Sequence, residues 1–370
     1  MTTPVYCDHN ATTPVRPEAM EAIRAALGTL GNPSSVHRFG RSARRIVEDA
    51  RDAVAALAGA PSANVIFTSG GTEANALALT GHPGRRVIVS AVEHPSVLEA
   101  DPAALRIPVD SEGLADLDAL DGLLSESEAP CLVSVMLANN ETGVIQPVAA
   151  VRDVAVRHGA LVHCDAVQAA GKLPLDMTAL GVDMLTVSAH KIGGPQGVGA
   201  LILRDALPVR AVQRGGGQER SRRAGTENVP GIAGFGAAAT AAADSLGEAS
   251  ALAGLRDRLE EQILTLTPEA KVFGAGAMRV ANTSCLALPG VDSGVLLPAL
   301  DLEGIAVSAG SACSSGKVSA SHVLSAMGAG DLARGAIRVS FGWTSREADV
   351  DDFLAAWRKV CSRLLAAASA

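Results

Sequence analysis

An aspartate and a lysine, each set just behind a short apolar run, carry the most chemistry in this sequence. Asp165 opens Asp165-Ala-Val-Gln168 after Ala160-Leu-Val-His-Cys164, and Lys191 closes Ser188-Ala-His-Lys191 after Asp183-Met-Leu-Thr-Val187. Such runs read as buried strands, and ligands in open α/β sheets bind just beyond the carboxyl ends of strands. A lysine amine can form a Schiff base with an aldehyde, and a carboxylate can keep a pyridine nitrogen protonated so that the ring takes up an electron pair. Those are the two requirements of pyridoxal 5'-phosphate. Its phosphate needs a cradle, and Thr68-Ser-Gly-Gly-Thr-Glu-Ala-Asn75 supplies one: a strand ends, Gly71 allows close approach, and a helix begins at Thr72 with free amides. Taken alone, the segment also reads as an ordinary glycine-containing capping turn. Ser188 and His190, beside Lys191, extend the set of phosphate donors. His94, in Val92-Glu-His-Pro-Ser96, is placed to lie against a planar ring, although a lone histidine at a strand end more often caps or fills a core.

The elements that must position these residues alternate along the chain. Asn64-Val-Ile-Phe67, Arg86-Val-Ile-Val-Ser90, Cys131-Leu-Val-Ser-Val135, Leu161-Val-His163, Met184-Leu-Thr-Val187 and Gly199-Ala-Leu-Ile-Leu203 read as strands. Between them lie helices: Ala43, Ile46, Val47, Ala50, Val54 and Leu57 follow helical spacing up to Gly59, and Pro147 opens another that closes at Gly159. This alternation predicts an α/β fold, with a large unit over residues 14 to about 250. A helix over Ala251 to Leu266 then begins a smaller α+β unit containing Thr283-Ser-Cys-Leu-Ala287 and Ala336-Ile-Arg-Val-Ser340 as strands.

Composition narrows the classes. With 370 residues and 48% hydrophobic content the chain can bury two cores. A net charge of −8 argues against a nucleic-acid partner, which would need a basic face. The start carries neither a charged n-region nor an apolar h-region, and no run is long and apolar enough to span a membrane, so a cytoplasmic protein is expected. The 6 cysteines form no CxxC pair, which indicates neither a zinc site nor a disulfide framework. Cys131, Cys164 and Cys285 lie in apolar runs and read as core residues. Cys313 differs: Ser308-Ala-Gly-Ser-Ala-Cys-Ser-Ser-Gly-Lys317 offers almost no side chain to pack, which predicts a mobile loop with an available thiol.

Together with Asp8-His-Asn-Ala-Thr-Thr-Pro14, Gly31-Asn-Pro-Ser-Ser35, Asn139-Asn-Glu-Thr-Gly143 and Arg222-Arg-Ala-Gly-Thr-Glu-Asn228, these motifs resemble, in order and over nearly the whole chain, the cysteine desulfurases of the nitrogen-fixation and iron–sulfur-assembly type, in the class V aminotransferase family. The resemblance implies the aspartate-aminotransferase-like fold type I: a large domain, residues 14–250, around a mostly parallel seven-stranded sheet, and a small domain built from residues 1–13 and 251–370, in a homodimer. It implies that Lys191 forms the Schiff base, Asp165 pairs with the pyridinium, Gln168 donates to the phenolic oxygen and His94 stacks on the ring. Gly71, Thr72, Ser188 and His190 would hold phosphate, Asn140 would approach the ring oxygen, and Thr226 would reach the neighbouring subunit's phosphate. Arg338 would bind the substrate carboxylate with its planar fork, and Asn32 would border the same site. Cys313 would take sulfur from L-cysteine as a persulfide, leaving alanine, and hand it to a scaffold or sulfur-carrier protein. His94 would carry protons for the thiols.

Other enzymes of this fold share the cofactor residues: a selenocysteine lyase, a cysteine sulfinate desulfinase or a simple aminotransferase. Cys313 in its Ser/Gly loop speaks against the last, and retention of Lys191 and Asp165 speaks against a non-catalytic delivery subunit. Gly234-Phe-Gly-Ala-Ala-Ala239 matches a dinucleotide fingerprint but follows no strand. His158, His163 and Asp165 are not assigned to a metal. Arg220, Arg222 and Arg223 read as a solvated basic run that could meet an anion. Two departures from the family stand out. Gln196 occupies a position where many relatives carry lysine, and the chain ends soon after the helix with Trp357, where scaffold-docking relatives have a longer tail.

Overall fold

A computed structural model describes residues 4–205, 207–309 and 320–368. Its centre is a seven-stranded sheet ordered Val65–Thr68, Gly199–Leu203, Met184–Ser188, Leu161–Asp165, Cys131–Ser134, Arg86–Ser90 and Leu105–Ile107. Neighbours from Met184–Ser188 to Leu105–Ile107 pair in parallel, while Gly199–Leu203 runs antiparallel to both of its neighbours. Six of these strands are the apolar runs read above. The seventh, Leu105–Ile107, lies at the edge with only Ile107 fully buried, so it gives little apolar signal.

Both faces of the sheet are covered. Val65, Phe67, Val133, Val162, Leu185 and Ile202 enter one core, whereas Ile66, Leu132, Leu161, Met184 and Leu201 enter another, as the two-residue period of a strand requires. The first core includes residues of the helices Pro17–Leu27, Arg38–Ala58 and Val229–Asp244, and the second packs on Gly71–Thr80. The glycine pattern at Gly234 and Gly236 lies inside Val229–Asp244. A Cβ at Gly236 would stand 2.6 Å from Ala50 Cα, so this pattern serves close helix crossing.

Arg51 leaves the middle of Arg38–Ala58 to meet Glu219, with Nη1 and Nη2 at 2.7 and 3.0 Å from its two carboxylate oxygens. Phe67 N donates to the same carboxylate. Glu219, Arg220 and Ser221 hold φ of 45°, 58° and 63°, a left-handed stretch without glycine that the buried ion pair pins in place.

A third core is built on a four-stranded antiparallel sheet ordered Ser308–Ala309, Ala336–Ser340, Thr283–Ala287 and Lys271–Val272. Phe341, Phe353, Trp357, Leu259 and Ile263 fill it, the last four from the helices Ala249–Leu266 and Glu347–Ala368. Trp357 satisfies its indole by donating to Thr267 Oγ1 at 3.0 Å. Val5–Tyr6 pairs with Ile305–Ala306 in parallel, and Asp8 bridges to Ser340. The chain then crosses to the larger core, where Thr13 N donates to His190 O and Arg16 N to Gly193 O. Among the described residues, no helix is long and apolar enough to cross a membrane.

Candidate active site

A cavity of about 690 Å³ opens at the carboxyl ends of the parallel strands. Asp165 is the last residue of Leu161–Asp165, and Lys191 closes the short turn Ala189–Lys191 directly after Met184–Ser188, so neighbouring strands aim both into the same space. Asn75 Nδ2 donates to Asp165 Oδ2 at 2.7 Å and Val167 N to Oδ1 at 2.9 Å, which fixes the carboxylate. Lys191 Nζ donates to the carbonyls of Asn10 and Ala11 at 2.6 and 2.8 Å. Burial and the Arg338 charge pull its amine down to about 8, against the opposing pull of Asp8 and Asp165.

The segment read as a phosphate cradle is the start of Gly71–Thr80, where Gly71 and Thr72 line the cavity with first-turn amides that lack helical partners. Ser188 Oγ faces it buried and, among the described residues, without a hydrogen-bond partner. An orphaned hydroxyl beside free amides is what an anionic phosphate would satisfy. His190 also lines the cavity, and burial followed by the Lys191 charge lowers its imidazole to about 4, so it is neutral there. The basic run is less free than its sequence indicates. Arg223 pairs with Glu73 at 2.8 Å, and Arg220 donates to Ala63 O.

His94 is both a cap and a cavity residue. Its Nδ1 accepts from Ser96 N at 3.1 Å at the start of Pro95–Leu98, which leaves the ring proton of the neutral form on Nε2. Burial lowers its proton affinity, assisted by Lys191 and His322 and opposed by Asp165. His322, another cavity residue, donates from Nε2 to Glu93 O at 2.9 Å.

Asn140 reaches the cavity from a turn organised by its neighbour. The buried Asn139 Oδ1 accepts from Glu141 N and Thr142 N, both at 2.9 Å, and Gly143 closes the turn at φ 78°. Asn140 O accepts from Arg338 Nη1 at 2.9 Å, while its own Oδ1 is unpartnered. Arg338, in the central strand of the four-stranded sheet, pairs through Nη2 with Asp8 at 2.7 Å. Its fork is therefore partly engaged already, and among the described residues Nε has no partner. Gln168 Nε2 donates to Asn10 O at 2.9 Å and its oxygen accepts from Lys172.

Three sequence-read residues stand apart. Asn32 is exposed and caps its own turn by accepting from Ser34 N, and Thr226 is exposed; neither lines the cavity. Cys313 lies outside the described residues, but Ala309 and Ala320, the described residues on either side of its segment, both line the cavity. Asn10, Asn75, Ser96, Lys172 and His322 were not read from the sequence. Asn75 had a signal, one turn into the cradle helix, and Ser96 and Lys172 lie two and four residues from His94 and Gln168; Asn10 and His322 act through elements remote in sequence. Among the described residues, no group of three or more His, Cys, Asp or Glu is arranged to hold a metal ion.

A carboxylate and a low-pKa lysine at adjacent strand ends, with an orphaned hydroxyl at a helix start, fit pyridoxal phosphate. Comparison with known proteins agrees. The aminotransferase class-V family model matches residues 5–353. A cysteine desulfurase of Cereibacter sphaeroides is 46% identical over 366 residues, covering 95% of this chain and 94% of its own. Among solved structures, a NifS-like protein from Rickettsia africae superimposes with a TM-score of 0.91 at 36% identity, over 97% of this chain and 99% of that one. A structure described as SspA in complex with cysteine gives 0.78 at 27% identity, over 91% and 98%. The matched span runs through both cores and every residue that lines the cavity, and the chain therefore belongs to the aminotransferase class-V family and, within it, to the pyridoxal-phosphate-dependent cysteine desulfurases.

Proposed function

We propose that this enzyme removes sulfur from L-cysteine, releases L-alanine and keeps the sulfur as a persulfide on Cys313 for transfer to an acceptor protein. The observation that carries this reading is the single cavity shared by Lys191, Asp165 and Arg338. When bound there, pyridoxal phosphate supplies an aldehyde and a ring able to take up the electron pair left by a breaking Cα–H bond. Gly71, Thr72, Ser188 and His190 would hold its phosphate, Asp165 its ring nitrogen, and Gln168 and Asn140 its ring-oxygen side, with His94 against the ring.

Arg338 receives the substrate carboxylate by turning its fork from Asp8 toward the cavity. Lys191, with its amine near 8, is basic enough to take the Cα proton and exists partly as the free amine at neutral pH. The Cys313 thiolate then attacks the substrate sulfur: the S–S bond forms, the C–S bond breaks, and its electron pair stays with the carbon that is reprotonated to alanine. His94 can supply a proton from Nε2 and recover it. Burial supports Cys313 as the nucleophile by contrast. Burial raises the thiols of Cys7, Cys164, Cys285 and Cys361, the first and last to about 12, and Cys131 is buried as well.

We further propose a cytoplasmic homodimer, in which Thr226 and Asn32 serve the neighbouring subunit's site. Their exposure outside this chain's own cavity supports it, as does the exposure of Leu30 at 75% and Val36 at 88% beside Asn32. The division into residues 14–250 and 1–13 with 251–370 is supported by the separate cores. Iron–sulfur cluster assembly or thiolation is the proposed destination of the sulfur.

Intact mass and peptide mapping of cofactor-loaded protein after brief exposure to L-cysteine test the reading, with alanine assayed in the same sample. One added sulfur on Cys313 with equal alanine is expected, and Cys313→Ser should bind cofactor yet gain no sulfur. Alanine formation retained by that variant would sink the assignment.

A further inference from the structure

Lys172 is a second, half-buried amine behind the cavity, and none of the steps above uses it. It follows Asp165 by two turns, and its Nζ donates to Gln168 Oε1 at 2.6 Å and to Asn10 Oδ1 at 2.7 Å. An amine offers hydrogen to these oxygens whether charged or neutral, and the Asn10 backbone carbonyl can only accept. The Gln168 amide thus has one permitted orientation: oxygen toward Lys172, NH2 toward Asn10 O and the cavity. Asn10 is fixed the same way. Its Oδ1 also accepts from Asn282, and its Nδ2 donates to Asn140 O and Thr283 Oγ1.

We propose that Lys172 is a positioning residue of the active site, the donor that holds the Gln168 amide with its NH2 facing the ring-oxygen side of the bound cofactor and keeps Asn10 in place beside Lys191. The proposal rests on the reading of the cavity as a pyridoxal phosphate site. Without Lys172, two amide oxygens converge on one buried point with no hydrogen between them. Rotation of Gln168 relieves that repulsion and turns its NH2 away from the cavity. Burial and the charges of Lys191 and Arg338 lower the Lys172 amine well below the usual lysine range, and its two hydrogen bonds survive the loss of the proton.

Cofactor-free wild type, Lys172→Met, Gln168→Ala and the double variant, titrated with pyridoxal 5'-phosphate, test this, with cofactor affinity and the absorption band of the bound cofactor as readouts. Lys172→Met should lose roughly ten-fold in affinity, shift the band in the same direction as Gln168→Ala, and add nothing in the Gln168→Ala background. Lys172→Arg, which keeps a donor, should restore the wild-type band. Should Lys172→Met not fold, Lys172→Leu, which likewise has no donor, carries the same comparison. A wild-type band and affinity in Lys172→Met, additive losses in the double variant, or Lys172→Arg behaving like Lys172→Met would each overturn the proposal. Failure of wild type to bind pyridoxal phosphate would instead overturn the reading of the cavity.

Discussion

Lys191 owes its reactivity to neighbours far away in sequence. Its amine is lowered to about 8 by burial and by Arg338, and only the free amine attacks an aldehyde. A lysine with a lowered pKa sheds its proton earlier as pH rises, so the rate of cofactor attachment to cofactor-free protein should climb through a midpoint near 8 and then level. Stopped-flow absorbance across a pH series reads it directly, and a midpoint in the ordinary lysine range of about 10.4 would contradict the assigned environment. Asn75 makes a second prediction. Its Nδ2 is the side-chain donor that orients Asp165 at 2.7 Å, so Asn75→Ala should weaken cofactor binding about ten-fold while leaving the fold intact, as equilibrium dialysis and circular dichroism would show. Asp165, Lys191 and Ser188 were legible in the sequence because their chemistry is carried by residue type behind an apolar run. Asn10 and Lys172 were not, since neither has a role until the N-terminal segment folds over the strand ends.

Secondary structure was most legible where burial is two-sided. The inner strands are nearly continuous apolar runs, and the helix over residues 38–58 stops at Gly59 in the left-handed conformation, as its sequence indicates. The edge strand Leu105–Ile107 gave little signal because it packs one residue fully and presents Arg106 to solvent. Glycines in Val229–Asp244 are legible as a pattern but ambiguous in meaning, and only the packing shows why they are small. Gly236→Val would drive a Cβ to within 2.6 Å of the Ala50 backbone. The helices Arg38–Ala58 and Val229–Asp244 must then separate, at a cost of about 1–3 kcal/mol, seen as a lower Tm in calorimetry. An unchanged Tm would mean that these helices tolerate more space than their contact implies.

The whole molecule joins its two cores through the first fifteen or so residues. Val5–Tyr6 adds to Ile305–Ala306, His9 and Asn10 bond Ser340, and Asn10 and Ala11 then present their carbonyls to Lys191. Replacing Val5 and Tyr6 with glycine should therefore lower cofactor affinity although neither lines the cavity, a result that cofactor titration would show; unchanged affinity would mean that Asn10 is held without the strand. The same stitching sets a schedule for biosynthesis. Val5, Tyr6 and Asn10 have their partners at 305–306 and 340, so in synthesis they wait, unpaired, while about three hundred residues are added. The Asn10 and Ala11 carbonyls can therefore be held against Lys191 by their full set of contacts only after Ser340 has emerged.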